Sequence, residues 1–446
     1  MDFFVYICPM NWQKLISNKR LGQEELHVSR QDDRTEFKRD YDRLIFSAPF
    51  RRMQNKTQVF PLPGSVFVHN RLTHSLEVAS VGRSLGDDVA HRLMQLHSEL
   101  QGTLFSEIGS IVSAACLAHD MGNPPFGHSG ERAIASYFSE GEGIKYKGQL
   151  TADQWADITH FDGNANAFRL LTHQFKGRRK GGFVLTYSTL ASIVKYPYPA
   201  IEATKQKFGF FVQEQPLYER IATELGITRS DRGWHRHPLA YLVEAADDIC
   251  YEIMDIEDAH KLKILSTDET RDLMLGFLPP ERRDHIIERA NQVDDRNEQV
   301  VYFRSCAIGA LERECVTVFV ENEESILSGT FSGSLLSHAS PLVREAYNRC
   351  VQVAQSRIYR SRDVVDTELA GYKIIYTLME LFTDAAMNPQ HAYSKLLLDR
   401  VSSQYDVSHP DTYVRIMAVL DYISGMTDVF ALDLYRKING ESLPMI

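Results

Sequence analysis

Ser106-Glu107-Ile108-Gly109-Ser110-Ile111-Val112-Ser113-Ala114-Ala115-Cys116-Leu117-Ala118-His119-Asp120-Met121-Gly122-Asn123-Pro124-Pro125 decides how the rest of the chain is read. Ile108, Ile111, Val112, Ala115 and Leu117 make a helix from about Ser106 to His119 that is apolar nearly all round, which belongs in the middle of a bundle. Gly122-Asn123-Pro124-Pro125 must stop it, because proline lacks the amide donor and restricts the residue before it. A new helix can begin near Ser129. The His119-Asp120 pair therefore puts two polar groups at a buried helix end, where desolvation demands a partner, and a metal ion is such a partner.

Helical periodicity continues on either side. His74 to about His97 carries Leu76, Val78, Val81, Leu85, Val89 and Leu93 near helical spacing, and Leu239 to about Leu262 carries Leu242, Val243, Ala246, Ile249, Ile253 and Ile256. Strand-like alternation is rare, so the fold class is all-α or nearly so. Residues 140 to 235 form a more irregular stretch, and helical patterns return after about residue 265, as at Gln352 to Tyr359 and Leu369 to Phe382. The expected organisation is an extension over 1–34, a helical core over 35–265 and a helical C-terminal region over 266–446 packed on that core.

The chain has 446 residues, 43% of them hydrophobic and 24% charged, and a formal net charge of −10. That composition suits a large globular core and argues against a surface built mainly to track nucleic-acid phosphates. One basic run, Lys176-Gly177-Arg178-Arg179-Lys180, reads either as a solvated loop or as a phosphate or polynucleotide contact. Cys8, Cys116, Cys250, Cys306, Cys315 and Cys350 are scattered without zinc-ribbon or redox spacing, and read as reduced thiols. The apolar stretch Phe3 to Cys8 is too short to cross a bilayer and lacks the features of a signal peptide, so a cytoplasmic protein is expected.

The chemistry-bearing residues are His74, His119, Asp120 and an aspartate in Ala246-Asp247-Asp248-Ile249. Two imidazoles and two carboxylates make a mixed nitrogen and oxygen site suited to divalent ions such as Mn, Fe, Co, Ni or, with water completing the sphere, Mg. A histidine alone is more often an ordinary core or surface residue. Asp247, Tyr251 and Asp255 follow one another at intervals of four, so all three fall in one sector of a helix and could look into one pocket.

These motifs resemble the HD-domain superfamily, and specifically the deoxyguanosine triphosphate triphosphohydrolase family of bacterial dNTPases. The resemblance runs through Arg39-Asp40-Tyr41-Asp42-Arg43-Leu44, the Phe50 to Phe60 segment, Asn70-Arg71-Leu72-Thr73-His74 and, most specifically, Ala118-His119-Asp120-Met121-Gly122-Asn123-Pro124-Pro125-Phe126-Gly127-His128-Ser129-Gly130-Glu131. It continues at Asp162-Gly163-Asn164-Ala165-Asn166, Val194-Lys195-Tyr196-Pro197 and Glu244-Ala245-Ala246-Asp247-Asp248-Ile249, with an echo at Gly371-Tyr372-Lys373. The family usually has Glu and Gln where this chain has Asp162 and Asn166.

The resemblance implies an HD-domain helical bundle that hydrolyses dNTPs, dGTP among them, to deoxynucleoside and tripolyphosphate with Mg, Mn or Co. It implies metal ligands His74, His119, Asp120 and Asp247, with Asp247 chosen over Asp248 because the family's sugar-pocket Tyr and Asp lie four and eight positions on, here Tyr251 and Asp255. His128 and Glu131 match the catalytic pair, His128 serving as acid or base. Arg71, Lys195 and Arg52 are candidate triphosphate cations, and Gln58, with Gln54 close in sequence, is a candidate base reader. A homo-oligomer is implied, a hexamer being one form, with single-stranded DNA or a dNTP as candidate effector and no membrane partner. Another HD-superfamily phosphohydrolase, such as a nucleotidase or phosphodiesterase, and a non-catalytic dNTP or nucleic-acid sensor are the competing readings.

Overall fold

A computed structural model describes residues 10–25, 34–60 and 68–442; the Phe3 to Cys8 stretch lies outside them. The fold is all-α: among the described residues the only strands are the antiparallel pair Arg229–Ser230 and Gly233–Trp234. No helix is long and apolar enough to cross a membrane. The five cysteines in the described residues are unpaired with one another.

The helix Ile108–Ala118 is the central rod, and ten of its eleven residues are buried, Ser110 being the exception. The helices Arg71–Leu96, Glu36–Ile45, Tyr187–Ile193 and Pro238–Lys261 surround it. Its large aliphatic side chains, Ile108, Ile111, Val112 and Leu117, are fully buried, and each such burial stabilises the fold by roughly 1.5–3 kcal/mol. The central rod lies close against Arg71–Leu96 because both are small at the crossing: a Cβ on Gly86 would stand 2.7 Å from the Gly109 Cα.

The helix expected over His74 to His97 is Arg71–Leu96, and that expected over Leu239 to Leu262 is Pro238–Lys261. Two boundaries differ. The helix after the proline turn begins at Gly127 rather than near Ser129, because Phe126 takes a left-handed conformation (φ 60°) that ends the turn earlier. The 140–235 stretch is largely ordered as short helices, including Ala152–Thr159, Gly163–Thr172, Tyr187–Ile193 and Gln215–Leu225.

Two apolar clusters form the interior. The first is built on the central rod and takes in Trp12 and Leu15 near the N-terminus as well as the long helix Arg296–Glu321. The second joins the Gly127–Ser139 helix to Arg362–Met387, Thr412–Ser424 and Asp428–Ile438. The turn at 119–126 lies where the two meet, with Met121 in the first cluster and Phe126 packed against the second.

Candidate active site and metal centre

Three elements deliver the candidate ligands. Asn70 caps the Arg71–Leu96 helix, its Oδ1 accepting the Thr73 amide at 2.9 Å while its own amide donates to Thr73 Oγ1, so Arg71 and His74 sit on a fixed first turn. His119 follows the last turn of the central rod, and Asp247 sits midway along Pro238–Lys261. His74 Nε2 and His119 Nε2 stand 3.1 and 3.4 Å from Asp247 Oδ1. His74, His119 and Asp247 offer ligand atoms all within 4.8 Å of one another, a group that could hold a metal ion.

The donor chemistry fits a divalent cation. His119 Nδ1 lies 2.6 Å from the Cys116 carbonyl, which makes that nitrogen the protonated one and leaves Nε2 as the free donor. That Nε2 is buried and has no hydrogen-bond partner, an orphan atom aimed at the carboxylate. Burial disfavours the charged ring, but Asp120 and Asp247 outweigh it and raise the His119 pKa to about 9, so these two carboxylates favour positive charge at Nε2, whether a proton or a cation that displaces it. Burial likewise opposes ionisation of Asp247, yet His119 and His74 hold its carboxyl well below the usual range. Of the neighbouring aspartates it is Asp247 that joins the histidines; burial, opposed by Lys195, pushes Asp248 up to about 7.

Asp120 stands beside this group rather than in it. Its Oδ1 is 3.7 Å from His119 Nε2 and accepts from the Asn123 amide, while its Oδ2 accepts from Arg71 Nη1 at 2.7 Å.

A cavity opens over these groups. His119, Asp120 and Asp247 line it on one side, His128 and Glu131 on another, and Gln58, Arg71, Lys195 and Tyr251 complete the residues the sequence pointed to. His74 is buried behind them, 1% exposed, with its ring edge-on to Tyr251 at 6.3 Å. Gln58 Oε1 is buried without a hydrogen-bond partner, whereas Gln54 is exposed and does not line the cavity.

His128 is held neutral. Burial, reinforced by the positive charges of Lys207 and Arg71, lowers its pKa to about 4. The expected pairing with Glu131 is not the one made: Glu131 Oε1 accepts the Gly163 amide at 2.7 Å, and Oε2 lies 3.6 Å from Lys207 Nζ. Glu131 thus fixes the start of the Gly163–Thr172 helix against the Gly127–Ser139 helix. Asp162 caps that helix through the Asn164 amide, and Asn166 donates to the Gly122 carbonyl at 2.6 Å, so both act as struts under the turn.

Asp255 and Arg52 do not line this cavity. Asp255, one helical turn beyond Tyr251, is buried and accepts from the Tyr359 hydroxyl at 2.7 Å, and Tyr359 lies 6.2 Å from the Tyr251 ring. Lys207, which sequence reasoning missed, reaches the cavity from the irregular stretch; no motif surrounds it. Tyr196, Asn123 and Asn164 also line the cavity.

The turn itself is clamped from the far end of the chain. Asp428, first residue of Asp428–Ile438, accepts the Phe126 amide through Oδ1 at 3.0 Å and the Thr57 amide through Oδ2 at 2.7 Å. Lys56 Nζ donates to the Asn123 carbonyl at 2.6 Å and the Ser424 carbonyl at 2.8 Å.

Comparison with known proteins gives this geometry a family. Residues 71–223 match the HD domain and residues 338–437 the phosphohydrolase-associated domain. A deoxyguanosinetriphosphate triphosphohydrolase-like protein of Pseudomonas aeruginosa is 36% identical over 98% of this chain and all of its own length. The chain belongs to the HD-domain deoxyguanosinetriphosphate triphosphohydrolase-like family. A similarly named protein of Synechocystis is 37% identical, covering 97% of this chain and all of its own. A deoxyguanosinetriphosphate triphosphohydrolase of Yersinia enterocolitica is 29% identical, covering 90% of this chain and 93% of its own. The HD segment contains His74, His119, Asp120 and His128, while Asp247 lies beyond it.

Proposed function

We propose that this chain hydrolyses deoxynucleoside triphosphates, dGTP or dNTPs in general, to deoxynucleoside and tripolyphosphate. The observation that carries the reading is an uncharged His128 open to the same cavity as the His74, His119 and Asp247 group. Those three residues, with Asp120 alongside, would hold Mg, Mn or Co; such an ion supplies Lewis-acid polarisation of a phosphoryl oxygen and acidification of water.

Arg71, Lys195 and Lys207 bring positive charge to the cavity wall for the triphosphate, Arg71 with the planar fork that matches phosphate oxygens. Arg71 and Lys195 are already poised by Asp120 and Glu244, at 2.7 and 3.1 Å. The Tyr251 ring, braced by Tyr359, forms a wall for the deoxyribose, and the unpartnered Gln58 Oε1 offers an acceptor to a base edge. Water attacks the α-phosphorus as its bond to the 5′ oxygen breaks. His128, uncharged at neutral pH, accepts a proton from that water and returns it to the departing 5′ oxygen.

Incubating the protein with each of the four dNTPs and Mg, Mn or Co, then identifying products by phosphorus NMR, tests this reading. Tripolyphosphate is expected. Pyrophosphate or orthophosphate would indicate another phosphohydrolase, and binding without turnover on every dNTP would indicate a sensor. A homo-oligomer is proposed as the working form, to be measured by sedimentation.

A further inference from the structure

Lys207 follows the exposed bend 204–206 and precedes Phe208, which is fully buried with its ring edge-on to Phe211 at 5.5 Å. The backbone under the lysine is anchored, while its side chain, 35% exposed, is a flexible four-carbon stem carrying a compact charge into the cavity. Its hold there is loose. The ammonium stands 3.6 Å from Glu131 Oε2 and 3.5 Å from Asp162 Oδ1, whereas Asp120 holds Arg71 at 2.7 Å and Glu244 holds Lys195 at 3.1 Å. Burial opposes the Lys207 charge, but the two carboxylates outweigh it and raise the pKa.

Those two carboxylates lie at one peptide. Glu131 Oε1 accepts the Gly163 amide, and Asp162 Oδ1 accepts the Asn164 amide and carboxamide at 2.9 and 2.8 Å. Both acids are buried, and Asp162 Oδ2 accepts nothing. Burial and then the Glu131 charge push the Asp162 carboxyl up, while Lys207 pulls it down. Among the described residues no other cation pairs with either carboxylate. The remaining charged or titratable groups nearby are His128 and Arg132 on the Gly127–Ser139 helix, Arg132 being tied to Glu368 at 3.1 Å, and the Tyr196 and Tyr198 phenols. Two adjacent buried acids thus depend on one loosely held ammonium.

We propose that Lys207 exchanges partners when a triphosphate enters: its ammonium leaves Glu131 and Asp162 for phosphate oxygens, and the vacated carboxylate pair takes up a proton from solvent. The inference rests on the triphosphate reading of the cavity. Lys207 stays charged throughout, so the proton goes to the acids it leaves, where two like charges side by side in a desolvated space cannot both persist. The bound state then holds more protons than the free one, and triphosphate affinity falls as pH rises. Asp162 is on this account a positioning residue, which parks Lys207 and releases it.

Inorganic tripolyphosphate, titrated calorimetrically into the full-length protein in EDTA at neutral pH in buffers of unlike ionisation enthalpy, reads the protons bound per site. Wild type is expected to take up about one proton more than Asp162→Asn, in which a single carboxylate remains. Asparagine caps a helix as well as aspartate does, so the Gly163–Thr172 helix is kept. Asp162→Asn should bind tripolyphosphate at least as tightly as wild type, because Lys207 is freer to leave; a residue with only a structural part would loosen binding when changed. Lys207→Gln should weaken binding about tenfold and show the reduced uptake of Asp162→Asn. Arg71→Gln should weaken binding and keep the wild-type uptake. Equal uptake in wild type and Asp162→Asn, or weaker binding by Asp162→Asn, overturns the exchange and leaves the triphosphate reading intact where affinity still depends on Arg71. Tripolyphosphate that fails to bind at millimolar concentration, or that binds Arg71→Gln as it binds wild type, overturns both.

Discussion

Neighbouring aspartates with opposite surroundings give the sharpest test at the residue scale. Asp247 faces two imidazoles, and Asp248 faces Lys195. Asp247→Ala is expected to abolish stoichiometric manganese binding and turnover, whereas Asp248→Ala keeps the bound manganese, as read by equilibrium dialysis with elemental analysis. For His128→Ala, metal and dNTP binding should persist while kcat falls by ~10²–10⁴, the usual worth of a positioned proton-transfer group. A third test concerns Lys56, whose ammonium burial holds down to about 7 from 10.5, with Asp428 opposing. Between those values the unfolded chain binds more protons than the folded one, so the lysine makes stability rise with pH across that window. Urea denaturation of wild type and Lys56→Met from pH 7 to 10 should show wild-type stability minus variant stability increasing with pH, and a difference that falls or stays flat would contradict the burial. The legibility of single residues followed the same division. Asp247 and Tyr251 were singled out by the resemblance, whose motif sets them four positions apart, and both line the cavity, whereas Asp255 at the same interval is taken up by Tyr359. Lys207 and Tyr359 could not be placed, since their approach depends on how distant segments pack.

The elements were readable where apolar periodicity was long and obscure where chain direction changed. Ile108 to Leu117 announced a buried rod, and the structure places it at the centre of the first cluster. The helix start at Gly127 escaped because a phenylalanine with positive φ breaks the usual preference of that region for glycine or asparagine. The short helices between 140 and 235 escaped because few of them are long enough to show a repeat. The turn between the rod and the Gly127–Ser139 helix is also a place where backbones press close: a Cβ at Gly122 would fall 2.1 Å from the Ala167 amide nitrogen and 2.2 Å from the Gly163 carbonyl oxygen. Gly122→Ala must displace backbone. It is expected to cost about 1–3 kcal/mol of unfolding free energy and to weaken manganese binding, since Asp120 rides on the same turn. Denaturation and metal titration of the purified variant measure both, and a variant as stable as wild type would show that the Gly163–Thr172 helix can move aside.

For the whole molecule, long-range ion pairs bind the two family segments together. Arg169, 2% exposed, grips Asp421 with two hydrogen bonds at 2.8 Å and Glu214 with one at 2.7 Å. Arg169→Met leaves two buried carboxylates uncompensated and should destabilise the fold by about 3–5 kcal/mol, lowering the melting temperature sharply in a calorimetric scan. Restoring a variant to near wild-type stability by adding Asp421→Leu would identify the stranded charge as the cause. Nothing in the linear order announced this pair, because residues 252 positions apart carry no shared periodicity.

The Asp428 clamp on the Phe126 amide carries a consequence for biosynthesis. The bend that launches His128 obtains its full set of hydrogen bonds only once a carboxylate from 302 positions downstream has arrived. A ribosome must therefore have passed Asp428, and the Asp428–Ile438 helix must have left its exit tunnel, before that bend can lock. The geometry of the pocket is thus tied to the arrival of that late segment of the growing polypeptide.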